Sequence, residues 1–169
     1  MNWADEFFET WQRACATGTD EVMKHVTNDV EYWDVTTPEP IRGAEAYRSY
    51  VDGFFEAFTQ IEWSLREPVI AEAGAAEGEG RVTEPWACTT LNSGPLWIGL
   101  PATGRRLSTV GTDIFEFRGN KVCREHSFYD VTDSLRQLGL MPAQGGIAER
   151  LTMGAAGVGV RARRMLPGT

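Results

Sequence analysis

The sequence predicts an α+β fold, with helices gathered on one face of a curved mixed or antiparallel sheet. Three observations lead there. Up to Phe58 the large apolar residues recur mostly at spacings of three and four, the period of amphipathic helices. From Gln60 to Asp130 the period changes to two, in runs rich in β-branched and aromatic residues. The last of these runs passes directly into a short helical segment stopped by Gly139.

In chain order, Trp3, Phe7, Phe8, Trp11 and Cys15 form the stripe of a first helix that ends near Gly18. Thr19 or Asp20 caps a second, short helix reaching about Thr27. Asp29–Val35 then alternates as a strand, with Val30, Tyr32 and Asp34 on one side and Glu31, Trp33 and Val35 on the other. Pro38 and Pro40 break it. After Gly43 a third helix runs to about Phe58 on a stripe of Tyr47, Val51, Phe54, Phe55 and Phe58. Ile61, Trp63 and Leu65 share one face of the next strand. The small residues 71–80 hold a turn, and Arg81–Asn92 is a strand with Val82, Trp86 and Cys88 on one face. Pro85 marks an edge or a bulge there. Residues 93–104 are a loop, and Leu107–Arg118 with Lys121–Asp130 form a hairpin turning at Gly119-Asn120. The folded domain is residues 1–142, followed by a Gly/Ala/Arg-rich tail, 143–169, in which MGAAGVGV is too rich in glycine to hold a helix.

The net charge of −8 argues against nucleic acid or an anionic membrane as the main partner. No stretch approaches the ~20 apolar residues of a membrane span. The acidic N-terminus lacks the pattern of a signal peptide, so a cytoplasmic protein is expected. Cys15, Cys88 and Cys123 are too widely spaced for a zinc site and read as small buried hydrophobes. No nucleotide loop, serine-hydrolase elbow or HExxH is present. Neither a cofactor nor a metal is expected.

Four acid–base groups stand out. Asp34 closes the first strand, either as a solvated carboxylate bonded to the loop or as a base at a cavity rim. Asp113 alternates with Phe115 and Phe117, so it faces a core, where a carboxyl must be paired, neutralised or used. Arg81 and Arg124 are its candidate partners. His126, Phe128 and Asp130 share a strand face, with His126 about 13 Å from Asp130 along the strand. Asp130 is also well placed to cap the last helix. The abundance of aromatic residues indicates either core packing or a pocket for a flat apolar ligand. Its candidate lining is Trp11, Trp33, Trp86, Asn92, Trp97, Phe115 and Phe128.

The segments RGAEAYRSYVDGFFEAF, WACTTLNSGPL, GLPATGRRL and VGTDIFEFRGNKVCREHSFYDVTDSLRQLGLMP carry a resemblance. Over roughly Trp3–Pro142 the chain resembles the SnoaL-like group of the NTF2-like superfamily, which includes polyketide cyclases, ketosteroid isomerases and limonene epoxide hydrolases. The resemblance implies a cone, a curved sheet wrapped around three N-terminal helices, and a homodimer or higher homo-oligomer built through the sheet. It places the isomerases' base at Asp34 and their oxyanion-binding acid at Asp113. Trp11 stands where they carry a tyrosine, which argues against steroid isomerisation. The cyclases' catalytic Asp falls on Asp130, ahead of Leu135-Arg136-Gln137-Leu138-Gly139, and their Glu-His-Trp reads Glu125-His126-Ser127. The epoxide hydrolases' Arg-x-Asp has no counterpart, and Ser127 stands at the place of their third acid.

The expected function is that of a cofactor-independent cyclase or isomerase of a polyketide-like or aromatic carbonyl compound. Asp130 is the expected base, with Asp113 or His126 stabilising the enolate. A non-catalytic binding or scaffold module is the alternative, and epoxide hydrolysis a third.

Overall fold

The structure is a computed structural model that describes residues 3–72, 78–96 and 99–154. Helix α1 spans Trp3–Thr17, a one-turn α2 spans Thr19–Val22, and a 3-10 turn occupies Met23–His25. Strand β1 (Val26–Asp34) and the short β2 (Ile41–Arg42) precede α3 (Ala44–Ala57). Then come β3 (Phe58–Leu65), β4 (Ile70–Ala71), β5 (Gly80–Asn92), β6 (Arg106–Arg118), β7 (Lys121–Tyr129) and α4 (Val131–Gln137). The α+β expectation holds. The second helix is shorter than its sequence suggests, because β1 starts at Val26 to bury Val26 and Val30.

One mixed sheet runs in the order β2-β1-β7-β6-β5-β3, with β4 also paired to β5. Among the described residues only β1 and β7 run parallel, and the other pairs are antiparallel. The β6–β7 corner uses positive φ at Gly119 (60°) and Asn120 (61°), the backbone demanded by a two-residue turn that follows the right-handed twist of its strands.

Pro85 lies on an interior strand but at a local edge, the gap between β3 and β4, and the ladder to β6 is unbroken across it, Pro85 facing Thr112. Its carbonyl accepts from Arg66 N at 2.9 Å. The amide N and carbonyl of a strand residue point the same way, so its missing N–H is aimed at the gap between β3 and β4. No ladder bond is lost there.

The sheet wraps α1 and α3. Phe8 and Trp11 of α1 sit on Phe115, with ring centroids 5.1 and 5.5 Å apart, and Trp3 meets Phe117 at 5.2 Å. Val30, Val82 and Val122 complete this core and have no exposed surface. A smaller cluster of Ala57, Phe58, Leu96 and Leu138 lies under α4. The space left between them is the cavity described below. No described helix is long and apolar enough to cross a membrane.

Residues 147–154 are helical, and Glu149 ties this segment back through Arg136 Nη2 and Gly145 N, both at 2.6 Å. The glycine-rich run expected to resist helix formation, Met153–Val160, begins in the last two residues of this helix, and its residues 155–160 lie outside the described residues.

Candidate active site

Alternation along the strands fixes which side chains reach the interior. On β5 the inward set is Val82, Glu84, Trp86, Cys88 and Thr90; on β6 it is Asp113, Phe115 and Phe117. The register sets Glu84 opposite Asp113, and Asp113 opposite Ser127 of β7. Phe115 faces Glu125 in the same way. Three carboxyl groups, Glu84, Asp113 and Glu125, thus share one wall of a cavity of about 420 Å³. The rest of its lining is largely aromatic and aliphatic, including Trp11, Phe54, Trp63, Trp86 and Tyr129. No arginine, lysine or histidine is among the described lining residues.

Without a cation, burial dominates the electrostatics. Asp113, 6% exposed, is raised to about 7 by loss of solvent, while a 2.5 Å hydrogen bond from Ser127 Oγ and the nearby Trp86 indole N–H pull it back. That indole influences the carboxyl by proximity but makes no aligned hydrogen bond. Glu84 is raised to about 8 by burial and then by Asp113, against one 2.9 Å hydrogen bond from Gln12 Nε2. Burial also pushes Glu125 well up, followed by repulsion from Asp113, although Tyr47 OH donates to it at 2.9 Å.

Asp34 is buried just behind this wall and does not line the cavity. Its Oδ1 accepts from Thr36 N (2.7 Å), Thr36 Oγ1 (2.7 Å) and Thr37 N (2.9 Å). Its Oδ2 accepts from Tyr50 OH (2.7 Å), Tyr32 OH (3.2 Å) and Tyr129 OH (3.2 Å). A carboxylate has about four lone-pair sites, so this group is saturated and has none left for a substrate proton. It positions the hydroxyls of Tyr50 and Tyr129, which do line the cavity.

Several sequence candidates fall elsewhere. A bulge at Cys123 is the main cause: Phe117 pairs with Val122, but Glu116 pairs with Arg124. Val122 is buried, and in a regular strand of the same sequence Arg124, His126, Phe128 and Asp130 would follow it inward. Instead Glu125, Ser127 and Tyr129 turn in. His126 and Phe128 meet Trp33 edge to face on the outer face, at 5.9 and 5.6 Å. None of the three can touch a ligand in the cavity.

Asp130, the expected base, is exposed and caps α4 by accepting from Asp133 N at 2.9 Å. Asn92 is a loop anchor: its Nδ2 donates to Ala57 O and Gly94 O, and its Oδ1 accepts from Thr103 N and Oγ1. Phe115 is core, sealed by α1. Trp97 lies outside the described residues. Arg81 and Arg124 bind Glu72 and Glu116, not Asp113. Asp113, Trp11 and Trp86 stand in the cavity wall as the sequence suggested.

Glu84, Glu125, Tyr47 and Tyr50 were missed. Glu84 was the findable one, since it shares the parity of Val82, Trp86 and Cys88 in RVTEPWAC. Among the described residues no group of three or more His, Cys, Asp or Glu is placed to hold a metal ion.

A curved sheet closed over helices, with an acid-bearing apolar cavity at its centre, is the class of NTF2-like cones. Residues 4–125 match the SnoaL-like domain, and the chain belongs to that family. Comparison with curated proteins gave no significant match. Among solved structures the chain is similar to a candidate SnoaL-like polyketide cyclase from Jannaschia sp. CCS1, at 17% identity and TM-score 0.68, covering 83% of this chain and 94% of that one. It is also similar to AclR, a candidate hydroxylase from Streptomyces galilaeus, at 18% identity and TM-score 0.65 over 97% and 95%. A limonene-epoxide-hydrolase-like enzyme from M. tuberculosis matches at 18% identity and TM-score 0.58, over 80% and 84%. These likenesses establish the fold.

Proposed function

We propose that the cavity is the active site of a cyclase or isomerase that moves protons on a flat, apolar carbonyl compound. The observation that supports this most is Asp113, a buried carboxyl in the cavity wall, poised near neutrality, with no cationic partner. Asp113 replaces Asp130 as the base. Its carboxylate takes a proton from the carbon next to a carbonyl, and the electron pair moves into an enolate. The enolate carbon attacks a second carbonyl in the same molecule, forming a carbon–carbon bond. Glu84, mostly protonated at neutral pH, gives its proton to the resulting alkoxide. The two carboxyls are cross-strand neighbours, so the proton gained by Asp113 returns to Glu84 and the site resets. In an isomerisation the same pair takes a proton at one carbon and delivers one at another.

The apolar walls hold the two carbons together and exclude water, which supplies much of the acceleration. Positioned acid–base groups contribute roughly 10²–10⁴-fold. Epoxide opening is less well supported, since no arginine stands among the described lining residues to pair with an acid. The same reading expects a homodimer joined through the outer sheet face around Trp33, His126 and Phe128; light scattering should then give twice the 18.8 kDa chain mass.

The test is solvent exchange on a probe ketone. β-Tetralone incubated with the protein in heavy water should take up deuterium beside its carbonyl faster than in buffer, and Asp113→Asn should abolish the difference. Tight binding of the ketone with no accelerated exchange would leave a binding module instead.

A further inference from the structure

Among the described residues, four buried side-chain polar atoms have no hydrogen-bond partner: Thr27 Oγ1, Trp63 Nε1, Trp86 Nε1 and Thr90 Oγ1. Three of the four, all but that of Thr27, belong to residues lining the one cavity. A buried donor without an acceptor is costly, and folded proteins satisfy nearly all of theirs. Each of these three atoms is unmet in the free protein and belongs to a residue of the cavity wall.

Their arrangement is built into the sheet. Trp86 and Trp63 come from β5 and β3, and their rings meet edge to face at 5.1 Å. Trp86 lies across β6 at Gly111, where a Cβ would come within 2.3 Å of Trp86 Cζ2. Only glycine lets the indole lie there, and its N–H then falls beside Asp113. Thr90 lies four residues further along β5, about 13 Å away by strand rise. Beyond these, the sheet brings the three acids and the hydroxyls of Thr109, Ser127 and Tyr129 to the cavity.

We infer that the indole N–H groups of Trp86 and Trp63 form the docking point for the substrate's carbonyl oxygen, and that the Thr90 hydroxyl receives a second oxygen further along the same wall. The ligand class is a flat, multiply oxygenated aromatic or polyketone with acceptor oxygens spaced along one edge. This inference rests on the proposed carbonyl chemistry and adds to it the groups that hold the oxygen. With the oxygen on Trp86, the adjacent carbon faces Asp113. As the enolate forms, negative charge grows on that oxygen, and the indole donors hold it more strongly than they hold the ketone.

Fluorenone and fluorene test this without turnover, because fluorenone has no hydrogen beside its carbonyl and fluorene is its shape-mate without the oxygen. Fluorenone should move the indole N–H resonances of Trp86 and Trp63 downfield, and its bound carbonyl stretch should fall in frequency. Fluorene should enter without the downfield shift. Trp86→Phe, which keeps a ring, should cost roughly tenfold in the preference for fluorenone over fluorene. It should also raise the carbonyl frequency towards its free value. Failure of fluorenone to shift either indole, or equal affinity for the two probes, overturns the inference. β-Tetralone exchange then separates the two ideas: exchange that survives Trp86→Phe unchanged refutes the docking point and leaves the base intact, whereas indole shifts without exchange refute the base and keep the docking point.

Discussion

Asp34 and Asp113 are both buried acids at the inner face of the same sheet, and they have opposite surroundings. Asp34 accepts six hydrogen bonds from backbone, threonine and tyrosine groups. Asp113 accepts one well-formed bond, from Ser127. The saturated acid fixes its neighbours in place and has nothing left to offer a ligand. The undersupplied acid is held in the cavity wall near the pH at which it exchanges its proton. Burial alone does not make a carboxyl reactive; the shortage of donors does.

Exchanging each acid should break this contrast in opposite directions. Asp113→Asn should reduce exchange on β-tetralone by roughly 10²–10⁴-fold while leaving the denaturation midpoint as high as in the parent or higher. Asp34→Ala removes the acceptor of six largely shielded donors and should cost about 3–5 kcal/mol of stability, read from urea unfolding. A parent-like midpoint for Asp34→Ala would show that its cage does not hold the fold together.

The acidity of the wall gives a pH signature. Asp113 and Glu84 are raised on folding from ordinary values of 3.8 and 4.5 to about 7 and about 8. An acid raised in this way binds more protons folded than unfolded between the two values, so stability falls as pH rises through that window. Thermal unfolding should therefore show a stability at pH 9 lower than at pH 5 by about 3 kcal/mol for Asp113 alone. Exchange activity should follow a bell, rising as Asp113 loses its proton near 7 and declining as Glu84 loses its own near 8. A flat profile would remove both residues from the proposed roles. The smallest effect belongs to Asp130→Ala, which removes a helix cap: about 1 kcal/mol of stability, with exchange unchanged.

How much of this could be read from the chain depended on whether a strand kept its period. In β1 the alternation of Val30, Tyr32 and Asp34 is unbroken, and the inward face was legible. In β6, Asp113 sits between positions set by Phe115 and Phe117, and its burial followed. In β7 the extra residue at Cys123 reversed every later side chain, and no residue type announces a bulge there. Pro85 announced a local edge, and the gap between β3 and β4 is that edge, although which strands bound it is a property of pairing and not of local sequence. The tyrosine cage needed Tyr50 of α3 beside two strands, a contact across elements that periodicity does not register.

The bulge at Cys123 also bears on how such pockets diversify. Removing Cys123 would make the strand regular and leave Glu125, Ser127 and Tyr129 inward, whereas a strand that kept every residue but lost the bulge would turn Arg124, His126 and Phe128 to the cavity. A change of pairing alone would then exchange an acidic interior for a basic and aromatic one on an unchanged scaffold. Lineages descended from one cone can part in chemistry through a shift of register before any change of residue.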